Sequence, residues 1–286
     1  MVIYLVICKK ACLLIETTSL RGSLGLYSLS SEQSIGPPLL VKEWKGPSHS
    51  SAITPAFESI VNFYLQRFFP SSKMAKDISI VFENSGVKSP SAQRKELKRD
   101  GKMRSDEDAS YLKILSSHIA FIALGIGPGR FTGVRVGVSF AKTLAFLLRR
   151  PIYPVSSLKI LAHSQVEQEK PILVLLNAFK NSVYLALYQK KEFKLEERIP
   201  PSVVLPRDLG KSIFEKCVCI GDAYSVYKDL LPDNLKDKLQ VKEGIFPKVE
   251  YLASLLKREL KTSKCIDWKE LKPVYLRSPV PLINKE

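Results

Sequence analysis

An α/β protein with mixed sheets, organised as two related lobes, is the fold class that three features of the sequence predict. One is a strand, glycine turn and helix unit at mid-chain: HIAFIALGI, then GPGRFTG, then a helix to about Leu148. Another is an internal echo, in which VLLNAFKNSVYLALY repeats the strand-turn-strand pattern of LLIETTSLRGSLGLY near the start. The last is length, since 286 residues exceed what one compact core needs, so two lobes or an inserted segment are expected.

In chain order, the apolar run Ala11 to Glu16 reads as a strand. Ser23 to Leu29 alternates Leu24, Leu26 and Leu29 with small or polar residues, and the polar Thr17 to Gly22 segment joins the two as a β-hairpin. After a turn at Gly36 to Pro38, another strand is expected around Leu39 to Trp44. His49 to Phe69 reads as a helix with Phe57, Ile60, Val61, Tyr64, Leu65 and Phe68 on one face and Pro55 near its start. From Ser71 to about Ser110, Ser, Lys, Asp and Arg dominate around one apolar island at Ile78 to Phe82, the composition of an insertion with a basic arm. Between Lys88 and Arg104 that arm carries seven basic residues against Glu96 and Asp100, and a solvated loop with no partner accounts for it better than a polyanion contact does.

In the helix after the glycine turn, Val134, Val138, Ala141, Ala145 and Leu148 form one packed face, and Arg149, Arg150 and Pro151 supply the charges and breaker of a carboxyl end. A helix at Ser157 to Gln165, strands at Pro171 to Asn177, Val183 to Tyr188 and Cys217 to Ile220, and a helix at Val249 to Leu260 fill the second lobe. The first lobe is thus expected over 11–150 with the insertion at about 71–110, and the second over 151–286, with a return of the C-terminal segment to the first lobe left open.

Lys plus Arg outnumber Asp plus Glu by 44 to 28, a net charge of +16 that favours polyanionic partners, acidic proteins or RNA. Five scattered cysteines fit buried small side chains in a reducing compartment, and a cytoplasmic protein is expected. The apolar start, Met1 to Lys10, lacks the preceding positive region of a signal peptide, and no uninterrupted span suited to a bilayer is read elsewhere.

Gly127, Pro128 and Gly129 let the chain turn sharply out of a strand, with Thr132 completing the structural turn. The amides that open the next helix, with Arg130 or Arg135 beside them, suit an anion, although neither the Walker A nor the dinucleotide pattern is present. Gly133, Gly137, Ala141 and Ala145 recur every four residues, so another element can approach this helix closely; the protein's own sheet and a partner helix fit equally. His49, His118 and His163 form no paired zinc motif, and no nucleophile elbow occurs.

The run IALGIGPGRFTGVRVGVSFAKTLAF is very similar to the signature of the TsaB family, whose usual form has serine where Arg130 stands here. LLIETTS, the histidine-led helix from His49, PVSSLKILA and KPVYLRSP agree in order, so the resemblance covers most of the chain outside the first ten residues and the insertion. It implies a two-lobed actin-like, Hsp70-like ATPase (ASKHA) fold and a non-catalytic subunit of tRNA N6-threonylcarbamoyladenosine synthesis that binds and activates TsaD, with no bond-making residue and no metal or cofactor of its own. In the family the helix after the signature and the earlier helix form the TsaD interface, which assigns His49, Phe57, Ile60, Tyr64, Gly133, Val134, Gly137, Val138, Ala141 and Ala145 to it. On that assignment Gly137→Leu or Ala141→Arg abolishes TsaD binding and leaves a soluble monomer. TsaE as a further subunit, tRNA reached through the complex and a homodimer where TsaD is absent stay open.

Besides Arg130, two departures from the family pattern matter. Glu16 stands in place of aspartate, and Asn177-Ala178-Phe179-Lys180 in place of an Asp-Ala-Arg pattern. A weak or interface nucleotide at Glu16, Thr17, Ser19 and Arg130 remains open, as do two rivals: an actin-fold ATPase or small-molecule kinase using those residues, and a tRNA-binding module using the Lys88 to Arg104 arm.

Overall fold

The computed structural model describes residues 10–277 apart from 31, 33, 47–48, 69–112, 193 and 212. The expectations for Met1 to Lys9, for the insertion and for its basic arm lie outside the described residues.

Five strands build the first sheet: β1 (Ala11–Glu16), β2 (Arg21–Leu29), β3 (Ile35–Lys45), β4 (Ile119–Gly125) and β5 (Ile152–Val155), in the order β3-β2-β1-β4-β5. The first three run as an antiparallel meander, and β4 and β5 lie parallel to β1. β1 is apolar at nearly every position because both of its faces are covered. Ala11, Leu13 and Ile15 point to α1 (His49–Phe68) and α2 (Phe131–Leu148), while Cys12 and Leu14 point to α6 (Val249–Glu259) on the opposite face.

The second sheet contains β6 (Ile172–Asn177), β7 (Val183–Lys191), β8 (Lys194–Val204), β9 (Cys217–Ile220) and β10 (Leu239–Lys242), in the order β10-β9-β6-β7-β8. Its pairings reproduce those of the first sheet: two antiparallel pairs on one side of the leading strand, two parallel pairs on the other. The internal echo is therefore a repeat of topology. α3 (Ser157–Ala162) packs on one face, and the short α4 (Ala223–Tyr227) and α5 (Asp233–Lys236) close the other.

Two elements differ from the sequence expectation. Gly36-Pro37-Pro38 lies inside β3 and makes no turn; β3 is an edge strand whose register shifts beside Tyr27, where the missing proline donors cost no ladder bond. The helix expected over 249–260 caps the first sheet, not the second lobe, because Val249, Leu252, Leu255 and Leu256 complete the apolar face left by Cys12, Leu14, Tyr27 and Ile35. The segment after α6 stays with that lobe: Ile266 exchanges backbone bonds with Ile152 at 2.8 and 3.0 Å, and Val274 N–H donates to Ile126 O at 2.8 Å. By length and mean composition α2 could cross a membrane, but Arg135 and Lys142 interrupt it, and in the fold its apolar side packs on the first sheet.

Candidate functional site

The β1–β2 turn is sealed beneath the glycine signature. Thr17 Oγ1 donates to Gly133 O at 2.8 Å, and Arg130 N–H donates to Thr18 O at 2.7 Å, so the start of α2 is bonded directly to the turn. Glycine is required there by close approach: a Cβ on Gly133 would overlap the Thr17 carbonyl, one on Gly137 the Thr17 side chain, and one on Gly129 the Thr18 carbonyl. Glu16 is fully buried, and its Oε1 accepts from Thr18 N–H at 2.7 Å and Thr18 Oγ1 at 2.6 Å, with Ser157 Oγ 3.4 Å from Oε2. Burial pushes its carboxyl above the usual range, outweighing the hydrogen bonds that favour the charged form. Ser157 ties the next loop in, its Oγ accepting from Gly127 N–H at 3.2 Å and its N–H donating to Gly127 O at 2.9 Å.

His49 latches the same turn from α1. The Trp44 indole N–H donates to His49 Nδ1 at 2.9 Å, which leaves the ring proton on Nε2, 2.8 Å from Ser19 O. Burial lowers the pKa of His49 and keeps the imidazole neutral.

This geometry corrects two residue assignments. The small-residue stripe is filled by the chain's own turn and sheet, not by a partner: Gly133, Val134, Gly137, Val138, Ala141 and Ala145 are buried in the first-lobe core, as are His49, Ile60 and Tyr64. Of the ten assigned residues only Phe57 reaches solvent, half-buried. Gly137→Leu and Ala141→Arg would therefore strike the fold itself. Likewise Glu16, Thr17 and Ser19 lie in the interior with their polar side-chain atoms engaged, Ser19 Oγ donating to Arg21 O at 2.8 Å, and only Arg130 of that quartet reaches the surface.

The outward face of the two helices is where apolar surface remains. Phe146 and Leu147 are 57% and 44% exposed, and half-buried Val136, Phe140 and Phe57 continue the patch along α2 to α1. Phe57 and Phe140 meet edge-to-face at 5.5 Å, and Phe146 and Trp268 at 5.2 Å. Val136, Phe140 and Leu147 follow helical spacing, so this second stripe was readable beside the small-residue one.

The β6–β7 turn is built differently. Phe179, Lys180 and Asn181 all have left-handed backbone, with φ of 59, 49 and 52°. Asn177 Oδ1 accepts from Phe179 N–H at 2.7 Å and from Tyr227 Oη at 2.9 Å, and Arg277 Nη1 donates to Ala178 O at 2.9 Å and Phe179 O at 2.7 Å. These bonds hold the turn in a conformation that non-glycine residues rarely adopt. The Arg130 guanidinium lies 5.3 Å from the Phe179 ring centre, bringing the signature of the first lobe against the second.

Comparison with known proteins places this architecture. Residues 107–252 match the family described as TsaD, tRNA N6-adenosine threonylcarbamoyltransferase. The chain is 38% identical over 120 residues to the tRNA threonylcarbamoyladenosine biosynthesis protein TsaB of Bacillus subtilis, covering 41% of this chain and 52% of that protein. To the protein of the same name from Haemophilus influenzae it is 28% identical over 170 residues, covering 56% of this chain and 70% of the relative. The match thus spans about half the length of the first of these relatives. The solved structure of YeaZ from Pseudomonas aeruginosa aligns at a TM-score of 0.64 and 20% identity, covering 93% of this chain and 100% of that one. The shared fold is the two-lobed actin-like arrangement with mixed sheets.

Proposed function

Since the chain belongs to the TsaB family, we propose that it is a non-catalytic subunit of the machinery that makes N6-threonylcarbamoyladenosine in tRNA, and that it docks a TsaD-type subunit through the outward face of α1 and α2. The observation that carries this reading is the apolar patch of Phe146, Leu147, Val136, Phe140 and Phe57, which extends onto Trp268. Each large side chain of such a patch stabilises a complex by about 2 kcal/mol when fully covered, and aromatic anchors dominate interfaces of this kind. The names of the relatives support a place in this pathway, and the match to the transferase family supports a kinship of fold with the proposed partner. TsaE and tRNA join through that complex, and a second copy of this chain is the occupant of the face when TsaD is absent.

Gel filtration of the chain mixed with TsaD from the same organism tests the reading. The doubly substituted Phe146→Asp, Leu147→Asp chain is expected to lose co-elution completely while melting within a few degrees of the unsubstituted protein, because both side chains are exposed. Undiminished co-elution of that variant sinks the proposed face. An ATPase role for the isolated chain gains no support from Glu16, Thr17 and Ser19, whose polar side-chain atoms bond within the turn or to the start of α2.

A further inference from the structure

At the amino end of α2, three separate parts of the chain converge. The signature brings Arg130, Phe131 and Arg135; the β6–β7 turn brings Phe179 and Lys180; the C-terminal segment brings Tyr275 and Arg277. All four of these cations lack a carboxylate partner among the described residues, where every ion pair lies elsewhere. Between them stand aromatic rings that a monomer gains nothing by exposing: Phe179 is 47% and Tyr275 36% accessible.

The rings and cations are interleaved. Arg135 lies 3.7 Å from the centre of the Phe131 ring and donates from Nε to Tyr275 Oη at 3.2 Å, and Phe131 stacks obliquely on Tyr275 at 5.1 Å. Phe179 is pinned outward by a run of left-handed residues that Arg277 and Asn177 hold in place. A turn needed only to close a hairpin would carry glycine or asparagine at such positions. Here a phenylalanine and a lysine occupy the first two of the three, ahead of Asn181, and face solvent.

We propose that this cluster is a binding site of the chain's own for unpaired RNA nucleotides, with bases stacking on Phe179 and Tyr275 and phosphates meeting Arg130, Arg135, Lys180 and Arg277. Flat rings alternating with unpaired cations are what single-stranded nucleic acid requires, since every base has a π face and every linkage one negative charge. An acidic peptide would use the cations and leave the rings idle. The centre of the docking face, Phe146 and Leu147, lies about four helical turns along α2, roughly 20 Å away, and only Val136 at its near end adjoins Arg135; the inference stands without the docking proposal.

Fluorescence anisotropy of a labelled single-stranded oligoribonucleotide and of tRNA, titrated with the full chain over a series of salt concentrations, tests it. Phe179→Leu is expected to weaken binding about tenfold with an unchanged salt slope, as loss of a stacking platform should. Arg130→Ala with Arg135→Ala is expected to lower the slope of log K against log salt by roughly 1.5, the value for two lost phosphate contacts. Both variants keep the backbone bond from Arg130 N–H to Thr18 O, and a thermal melt confirms that they fold. Ultraviolet crosslinking of the same RNA should recover peptides containing Phe179 or Tyr275. Wild-type binding by both variants, crosslinks confined to residues 71–110, or equal affinity for an acidic peptide of the same charge overturns the proposal.

Discussion

The two hairpin turns occupy the same place in two copies of one topology and have opposite fates. In the first lobe the β1–β2 turn is buried, bonded to α2 by Thr17 and Thr18, and latched by His49. In the second, the β6–β7 turn stands in solvent with Phe179 and Lys180 exposed. The cause lies in the helix after the neighbouring parallel strand. After β4 comes an 18-residue helix whose glycines let it settle onto the turn; after β9 comes α4, five residues long, which leaves the second turn uncovered. A repeated fold has thus turned one copy of a loop into a structural joint and released the other for recognition.

Crowding the joint is the most severe way to break this comparison. Gly137→Leu places a side chain where the Thr17 hydroxyl sits and should destabilise the protein by about 3 kcal/mol or more, read as a lower urea midpoint, whether or not a partner is present. An unshifted midpoint would show that α2 can lift off the turn, reopening it as a binding loop.

Making the first turn resemble the second is a milder change. Glu16 occupies the position that Asn177 holds in the echo, and Glu16→Gln replaces a buried carboxyl by an amide whose oxygen can still accept from Thr18. Because burial raises the folded pKa of Glu16, the unfolded chain releases that proton first as pH rises past the ordinary value of 4.5. The folded state then binds more protons than the unfolded one, so this residue lowers stability with increasing pH until its raised pKa is passed. The glutamine variant should lack that decline and be more stable at pH 7 by about 1 kcal/mol; urea titrations at pH 4 and pH 7 would measure it, and parallel losses in both proteins would contradict it.

The smallest effect is expected at the second turn. Lys180→Gly removes the steric cost of a left-handed lysine, partly offset by the added freedom of the unfolded chain, and should stabilise the fold by about 0.5 kcal/mol, a rise of roughly a degree or two in melting temperature. A fall would mean that Lys180 makes a contact worth more than its strain.

Local pattern carried much of this. The apolar run of β1, the echo between the two hairpins and the helical stripes of α1 and α2 are patterns of neighbouring residues, and they are legible without coordinates. The glycine stripe of α2 likewise announced a close approach. What it could not announce was the identity of the approaching element: Thr17, which meets the stripe, lies 116 residues away from Gly133, to which it bonds. Arg130, Phe179, Tyr275 and Arg277 are scattered across the sequence in the same way, and none of them repeats with any period. Sequence spacing by itself determined which faces must be buried or closely packed, because that depends on the geometry of a single strand or helix. Only the tertiary structure decided what fills them and which side chains from different lobes meet, because those contacts depend on how distant elements pack against one another.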